Sequence, residues 1–157
     1  MSIFRYTGLT MTRDRSFAEL VRAGKFAEVD ASYLDASSSG GAARNGPERS
    51  ELVLINMGTD YSPTDLNPMI TLWSRIIGRP LDLATPYELA YYGSRRNDRH
   101  RIVAFGPEVF SPGCVNDAAL IWPVSGGRRL SRCRTDCSWL KLDLVLCVCP
   151  GESDRLI

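Results

Sequence analysis

Arg79-Pro80-Leu81-Asp82-Leu83-Ala84-Thr85-Pro86-Tyr87-Glu88-Leu89 is the stretch on which the reading of this chain turns. Threonine stands in a helix N-cap position and proline follows at the first helical position. Glu88 falls three residues after the cap, from where its carboxylate reaches back to the cap amide. A helix is therefore predicted from Pro86 to about Gly93. Upstream, Gly78 and Pro80 stop an earlier helix, whose start is signalled by Ser62-Pro63-Thr64-Asp65. In it Leu66, Met69, Ile70, Trp73, Ile76 and Ile77 keep helical spacing, which predicts one broad buried face. Outside the two helices lie the apolar runs Leu52-Val53-Leu54-Ile55 and Ile102-Val103-Ala104-Phe105. Continuous rather than alternating, they read as strands buried on both faces. The order strand-helix-helix-strand makes the centre of an α+β fold.

Working outward, residues 1–13 read as an extended lead-in. Ser16 and Glu19 form a capping-box pattern, Phe17, Leu20 and Val21 a single helical stripe, and Gly24 a stop. Phe26, Val29 and Tyr33 continue the apolar rhythm as a further helical turn. Ser37-Ser38-Ser39-Gly40-Gly41 and Asn45-Gly46-Pro47 are loop chemistry. One domain over 1–157 is expected, with an N-terminal helical element (1–35), a flexible loop (36–50) and a main body (51–150). After Phe105 the chain reads as antiparallel strands. The first is Ala118–Val124, with Pro123 favouring an edge or a bulge. Gly126-Gly127 makes a hairpin turn, Arg128–Arg134 returns, and Thr135-Asp136-Cys137-Ser138 turns again. In the last strand, 140–148, Leu142, Leu144, Leu146 and Val148 share one face, and Val145, Cys147 and Cys149 the other.

Composition narrows the function classes only a little. A chain of 157 residues with 44% apolar and 24% charged residues is that of an ordinary soluble globular protein. A formal charge of +1 argues neither for nucleic acid nor for a membrane surface. Positive charge is almost all arginine, Lys25 and Lys141 being the only lysines. No apolar run approaches the ~18–20 residues that span a bilayer, and the first residues lack the apolar core of a secretory signal. Five cysteines bunched late in the chain do not read as a secreted disulfide framework. The expectation is a cytoplasmic protein with no membrane association.

Three constellations bear on chemistry. Cys133, Cys137, Cys147 and Cys149 would supply four thiolates to zinc, but neither spacing is the usual CxxC knuckle. Residues two apart on a strand lie ~6.6 Å apart, too far for one ion without a bend, so buried apolar cysteines are the simpler account. His100 is the only histidine, so any Cys–His or Ser–His pair must use it. Asp60 and Asp65 follow the first buried strand, where α/β proteins often bind ligands, although turn-making and capping also explain them. No phosphate loop, dinucleotide fingerprint or nucleophile elbow is present, and no cofactor is implied. The third constellation is arginine: Arg95, Arg96, Arg99 and Arg101, then Arg128, Arg129, Arg132 and Arg134, with Tyr91 and Tyr92 close in sequence to add stacking.

The run from Ser16 to Phe26, Arg79-Pro80 leading to Thr85-Pro86-Tyr87-Glu88-Leu89, and Arg101-Ile102-Val103-Ala104-Phe105-Gly106 together resemble a group of small bacterial proteins of unknown function. Arg128-Arg129-Leu130, Trp139 and the last apolar strand extend the resemblance. The ending Cys147-Val148-Cys149-Pro150 departs from the group's basic tail. The resemblance implies no activity. From the residues themselves the expectation is a non-catalytic binding protein, an inhibitor, adaptor or structural component. It would meet a protein partner through an arginine- and tyrosine-rich surface. The alternatives are nucleic-acid binding through the arginine clusters and an enzyme using Asp60, Asp65 or His100.

Overall fold

The computed structural model describes residues 2–33, 49–97, 99–106, 117–134 and 139–151. The 36–48 part of the expected loop and the turn at 135–138 lie outside them. In chain order the elements are β1 (Ile3–Thr12), α1 (Phe17–Ala23), β2 (Glu28–Val29), β3 (Arg49–Asn56), a 3-10 turn (Pro63–Asp65), α2 (Leu66–Ile77), β4 (Asp82–Leu83), α3 (Pro86–Arg95), β5 (Arg101–Ala104), β6 (Asp117–Val124), β7 (Gly127–Arg134) and β8 (Asp143–Pro150). The fold is α+β. Its strands form one sheet in the order β1-β3-β8-β5-β6-β7-β2, with β4 beside β5 on the same edge of β8.

β3 and β8 are neighbours inside the sheet, and the alternation expected of the last strand holds from Leu144 to Cys149, while Leu142 precedes β8 and is exposed. Leu52, Leu54, Leu146 and Val148 face α1 and α3, while Val53, Ile55, Val145, Cys147 and Cys149 face the side covered by α2. Because helices lie on both faces, neither strand has a polar side, which is why Leu52-Val53-Leu54-Ile55 is apolar throughout. The C-terminal strands are not a plain antiparallel series. β8 returns between β3 and β5 and runs parallel to β5.

Residues 1–13 are more than a lead-in, since β1 pairs along β3. The register shifts between Tyr6 and Thr10, where Gly8 takes φ of 80°. At this bulge the Thr7 hydroxyl donates to the Leu52 carbonyl at 2.7 Å and accepts from the Leu9 amide at 3.1 Å, replacing ladder bonds that the extra residues break. The expected helical turn over Phe26–Tyr33 is instead a short parallel pairing of β2 with β7, followed by a helical turn at 31–33.

α1 begins as its sequence signals: the Ser16 hydroxyl accepts the Glu19 amide at 3.2 Å, and Glu19 returns to the Ser16 amide at 3.5 Å. α2 buries Leu66 and Met69 and half-buries Ile70, Trp73 and Ile77, but Ile76 points to solvent with Leu72. α3 is buried from Pro86 to Gly93, because the sheet lies under it and α1 packs beside it. Glu88 does not complete the expected capping box. One carboxylate oxygen takes the Thr85 hydroxyl, and the other pairs with Arg13 at 3.1 Å, both side chains buried. A buried carboxylate needs a counter-charge more than a helix needs its cap, and Arg13 supplies one.

β6 and β7 meet in a two-residue turn at Ser125-Gly126, Val124 pairing with Gly127. Pro123 lies in an internal strand, yet β5 pairs with β6 only as far as Ile121, so the proline sits beyond its neighbour's reach. That local edge satisfies the proline rule. Among the described residues no helix is long and apolar enough to cross a membrane.

Candidate functional site

The C-terminal ends of α1 and α3 come together beside the β6–β7 turn, and packing of small residues brings them there. A Cβ on Gly24 would lie 2.4 Å from the Phe26 ring, and one on Gly93 2.6 Å from it. The ring therefore sits where both glycines leave room. Gly24 is not the left-handed stop expected of it: its φ is −72°, and Lys25 takes the positive φ of 51° instead. Space, not backbone conformation, requires glycine at position 24.

Arg128 closes this corner. Its guanidinium lies 4.9 Å from the centre of the Phe26 ring and donates to the carbonyls of Gly24 (2.8 Å), Gly93 (2.9 Å) and Arg96 (2.8 Å). Helix C-termini carry carbonyls without intrahelical partners and a partial negative charge, so one planar cation satisfies the ends of two helices at once. Only 9% of Arg128 is exposed, and its charge is spent inside the fold.

Around this corner lie two adjoining clefts. One, of about 440 Å³, is lined on its basic side by Lys25, Arg95, Arg96 and Arg128. The other, of about 410 Å³, adds Arg99. They share Asn97, Gly126, Gly127 and Arg128, and among the described residues neither is lined by an aspartate or glutamate. Arg95, Arg96 and Arg99 are exposed. Arg95 lies 5.5 Å over the Tyr91 ring, and Arg96 donates one N–H to the Thr7 carbonyl at 2.9 Å. A guanidinium has five N–H donors, so each retains capacity toward an incoming anion. The two helix C-termini oppose an anion, but Arg128 already absorbs their carbonyls. The field of the remaining cations therefore dominates the groove.

The structure thus joins Arg95, Arg96 and Arg99 to Arg128 and separates the other candidates from them. Arg101 pairs with the buried Asp143 at 2.5 Å. Arg129 pairs with Glu28 at 3.2 Å on the surface, where such a pair contributes little. Arg132 is half-buried, and Arg134 is exposed at the far end of β7, six residues or roughly 20 Å along the strand from Arg128. Tyr91 and Tyr92 are buried, so the expected tyrosine surface is not available for stacking. Tyr91 instead directs its hydroxyl to the Thr10 carbonyl at 3.4 Å. Lys25, Asn97 and the turn glycines belong to the groove without having stood out in the sequence, because only the packing of α1 against α3 brings them there.

The remaining candidates are engaged in building the fold. Asp65 accepts the Ser62 amide at 2.9 Å, and Asp60 the Lys141 amide at 2.9 Å. His100 is exposed and lines a different cleft. Cys147 and Cys149 are fully buried on β8, while Cys133 sits on β7. Three strand spacings separate β7 from β8, roughly 14 Å, which no single metal bridges. Burial pushes the Cys147 thiol well above its ordinary value, with the neighbouring Cys149 and Asp82 adding to the effect, so it stays protonated and unreactive. Cys137 lies outside the described residues. Among those described, no group of three histidine, cysteine or acidic residues is placed to hold a metal. Comparison with known protein families, curated proteins and solved structures finds no match to this chain.

Proposed function

We propose that this is a non-catalytic binding protein of the cytoplasm that meets an acidic protein partner through the groove at the C-termini of α1 and α3. The observation that carries this reading is the joining of Lys25, Arg95, Arg96, Arg99 and Arg128 along two adjoining clefts that, among the described residues, no acidic side chain lines. Arginine suits such a surface, because its planar fork meets carboxylates with two parallel hydrogen bonds. The burial of Arg128 gives the groove a rigid base. Supporting the non-catalytic side, Asp60 and Asp65 are occupied in turns and His100 lies outside the groove. Nucleic acid is the second reading, favoured by the same guanidinium array but weakened by the burial of Tyr91 and Tyr92.

The test is affinity capture from the native host with the wild-type protein and with Arg95→Glu/Arg99→Glu. Both side chains are exposed, so unchanged circular dichroism is expected. The wild type is expected to retain an acidic protein that the variant loses, and equal capture by both would defeat the reading. Labelled single- and double-stranded oligonucleotides at low salt separate the alternatives. A nucleic-acid site gives affinity that falls steeply with added salt.

A further inference from the structure

A third cleft, of about 240 Å³, is lined in part by His100, just before β5. Ile3, Leu54, Leu142 and Leu144 line it with aliphatic surface, and Arg5, Asn56 and His100 are its polar members. Its position follows from the register. Ile3 pairs with Asn56 and Arg5 with Leu54, and residues directly opposite on antiparallel strands point to the same face. That is the face carrying α1 and α3, yet α1 and α3 do not cover this end. Ile3 is 62% exposed and Leu142 67%, although both belong to residue types that normally seek the interior. Neither is explained by the packing of the fold or by the basic groove, in which they take no part.

We infer that this cleft is a binding site for a small aliphatic carboxylate, a short chain ending in an anionic head. Two features select that class. First, among the described residues the only ionisable side chains lining the cleft are Arg5 and His100, with no aspartate or glutamate. A guanidinium beside an apolar pocket is a carboxylate fork, and Asn56 offers a further donor. Second, the size fits. At about 30 Å³ for each water volume displaced, the cleft of about 240 Å³ takes roughly eight non-hydrogen atoms, the head and most of the chain of octanoate. A few polar groups fixing the orientation of an apolar body is the usual make-up of a small-molecule site. Arg99 faces the basic groove and His100 this cleft, so one connector separates the two sites, and each can be altered alone.

The experiment is a titration of ¹⁵N-labelled protein with sodium octanoate, with sodium acetate as the head alone and 1-octanol as the tail alone. Saturable shifts are expected for octanoate at the amides of Ile3, Arg5, His100 and Leu142, with acetate and octanol at least about tenfold weaker. Arg5→Glu and Leu142→Asp, both at exposed positions, are expected to reduce octanoate affinity by about tenfold or more. Arg99→Glu is expected to leave it unchanged. No saturable shift at these amides overturns the inference. So does octanol binding as tightly as octanoate, because the cationic rim would then select nothing. Loss of octanoate binding in Arg99→Glu but not in Arg5→Glu would place the ligand in the basic groove and overturn it equally.

Discussion

At the residue scale, Phe26 and Arg128 show how much of this protein is held by one corner. Gly93 lies inside α3, where alanine would be favoured by about 1 kcal/mol on helix propensity. Its Cβ, however, would meet Phe26 at 2.6 Å and Ile121 at 2.9 Å, and overpacking of this kind costs roughly 1–3 kcal/mol. Two contacts under 3 Å put the overpacking above the gain, so Gly93→Ala is expected to lower stability by up to about 2 kcal/mol in urea unfolding. Phe26→Leu added to it is expected to recover part of the loss, a coupling that a double-mutant cycle measures. Arg128→Met is expected to cost more, roughly 2–4 kcal/mol, because three carbonyls at two helix ends lose a charged donor. Arg128→Lys should recover less than half of that, since an ammonium lacks the planar fork. If lysine restored full stability, the arrangement of the three bonds would not be what matters.

At the scale of elements, stability and legibility go together. α1 announces itself within four residues, and Ser16→Ala is expected to cost about 1 kcal/mol, read as weaker amide-exchange protection from Phe17 to Ala23. The strand β8 was legible for a similar reason: both faces are buried, so its side chains make a continuous apolar run of strand length. β1 was not legible, because Thr7-Gly8-Leu9 interrupts its alternation and only one flank meets a strand. Thr7→Val keeps the shape but removes both bonds of its hydroxyl. It is expected to lower stability by about 1–3 kcal/mol and to speed exchange in β1 before β8. The place of β8 between β3 and β5 was equally hidden, since nothing near residues 143–150 states which distant strands flank them. The candidate groove lies between these cases. Its arginines stood out as a cluster, but the role of Arg128 rests on carbonyls 104 and 35 residues away, and Tyr91 and Tyr92 read as surface only until α1 and the sheet enclosed them.

At the scale of the whole molecule, helices on both faces of the sheet leave groups that titrate in the alkaline range buried in its second core. Burial raises the Cys147 thiol above its ordinary 9.0, and burial with the adjacent Asp143 carboxylate raises the Tyr61 hydroxyl above its ordinary 10.0. Tyr61 also donates to the Asp143 carbonyl at 2.6 Å, which fixes it in its neutral form. The folded protein therefore holds protons that the unfolded chain releases first. A group of this kind leaves stability unaffected below its unfolded value and removes it progressively above that value. Stability is expected to be level in this respect up to about pH 9 and then to fall, by up to about 1.4 kcal/mol per pH unit for each fully burdened group. Urea unfolding of the wild type, Cys147→Ala and Tyr61→Phe at pH 7, 8, 9, 10 and 11 reads the effect. The variant starts lower, having lost buried contacts, but its decline between pH 9 and 10 is expected to be shallower. Tyr61→Phe should flatten the decline beginning one unit higher. Parallel curves for all three proteins would show that neither group carries the alkaline limit, and that the second core admits water before these protons are released.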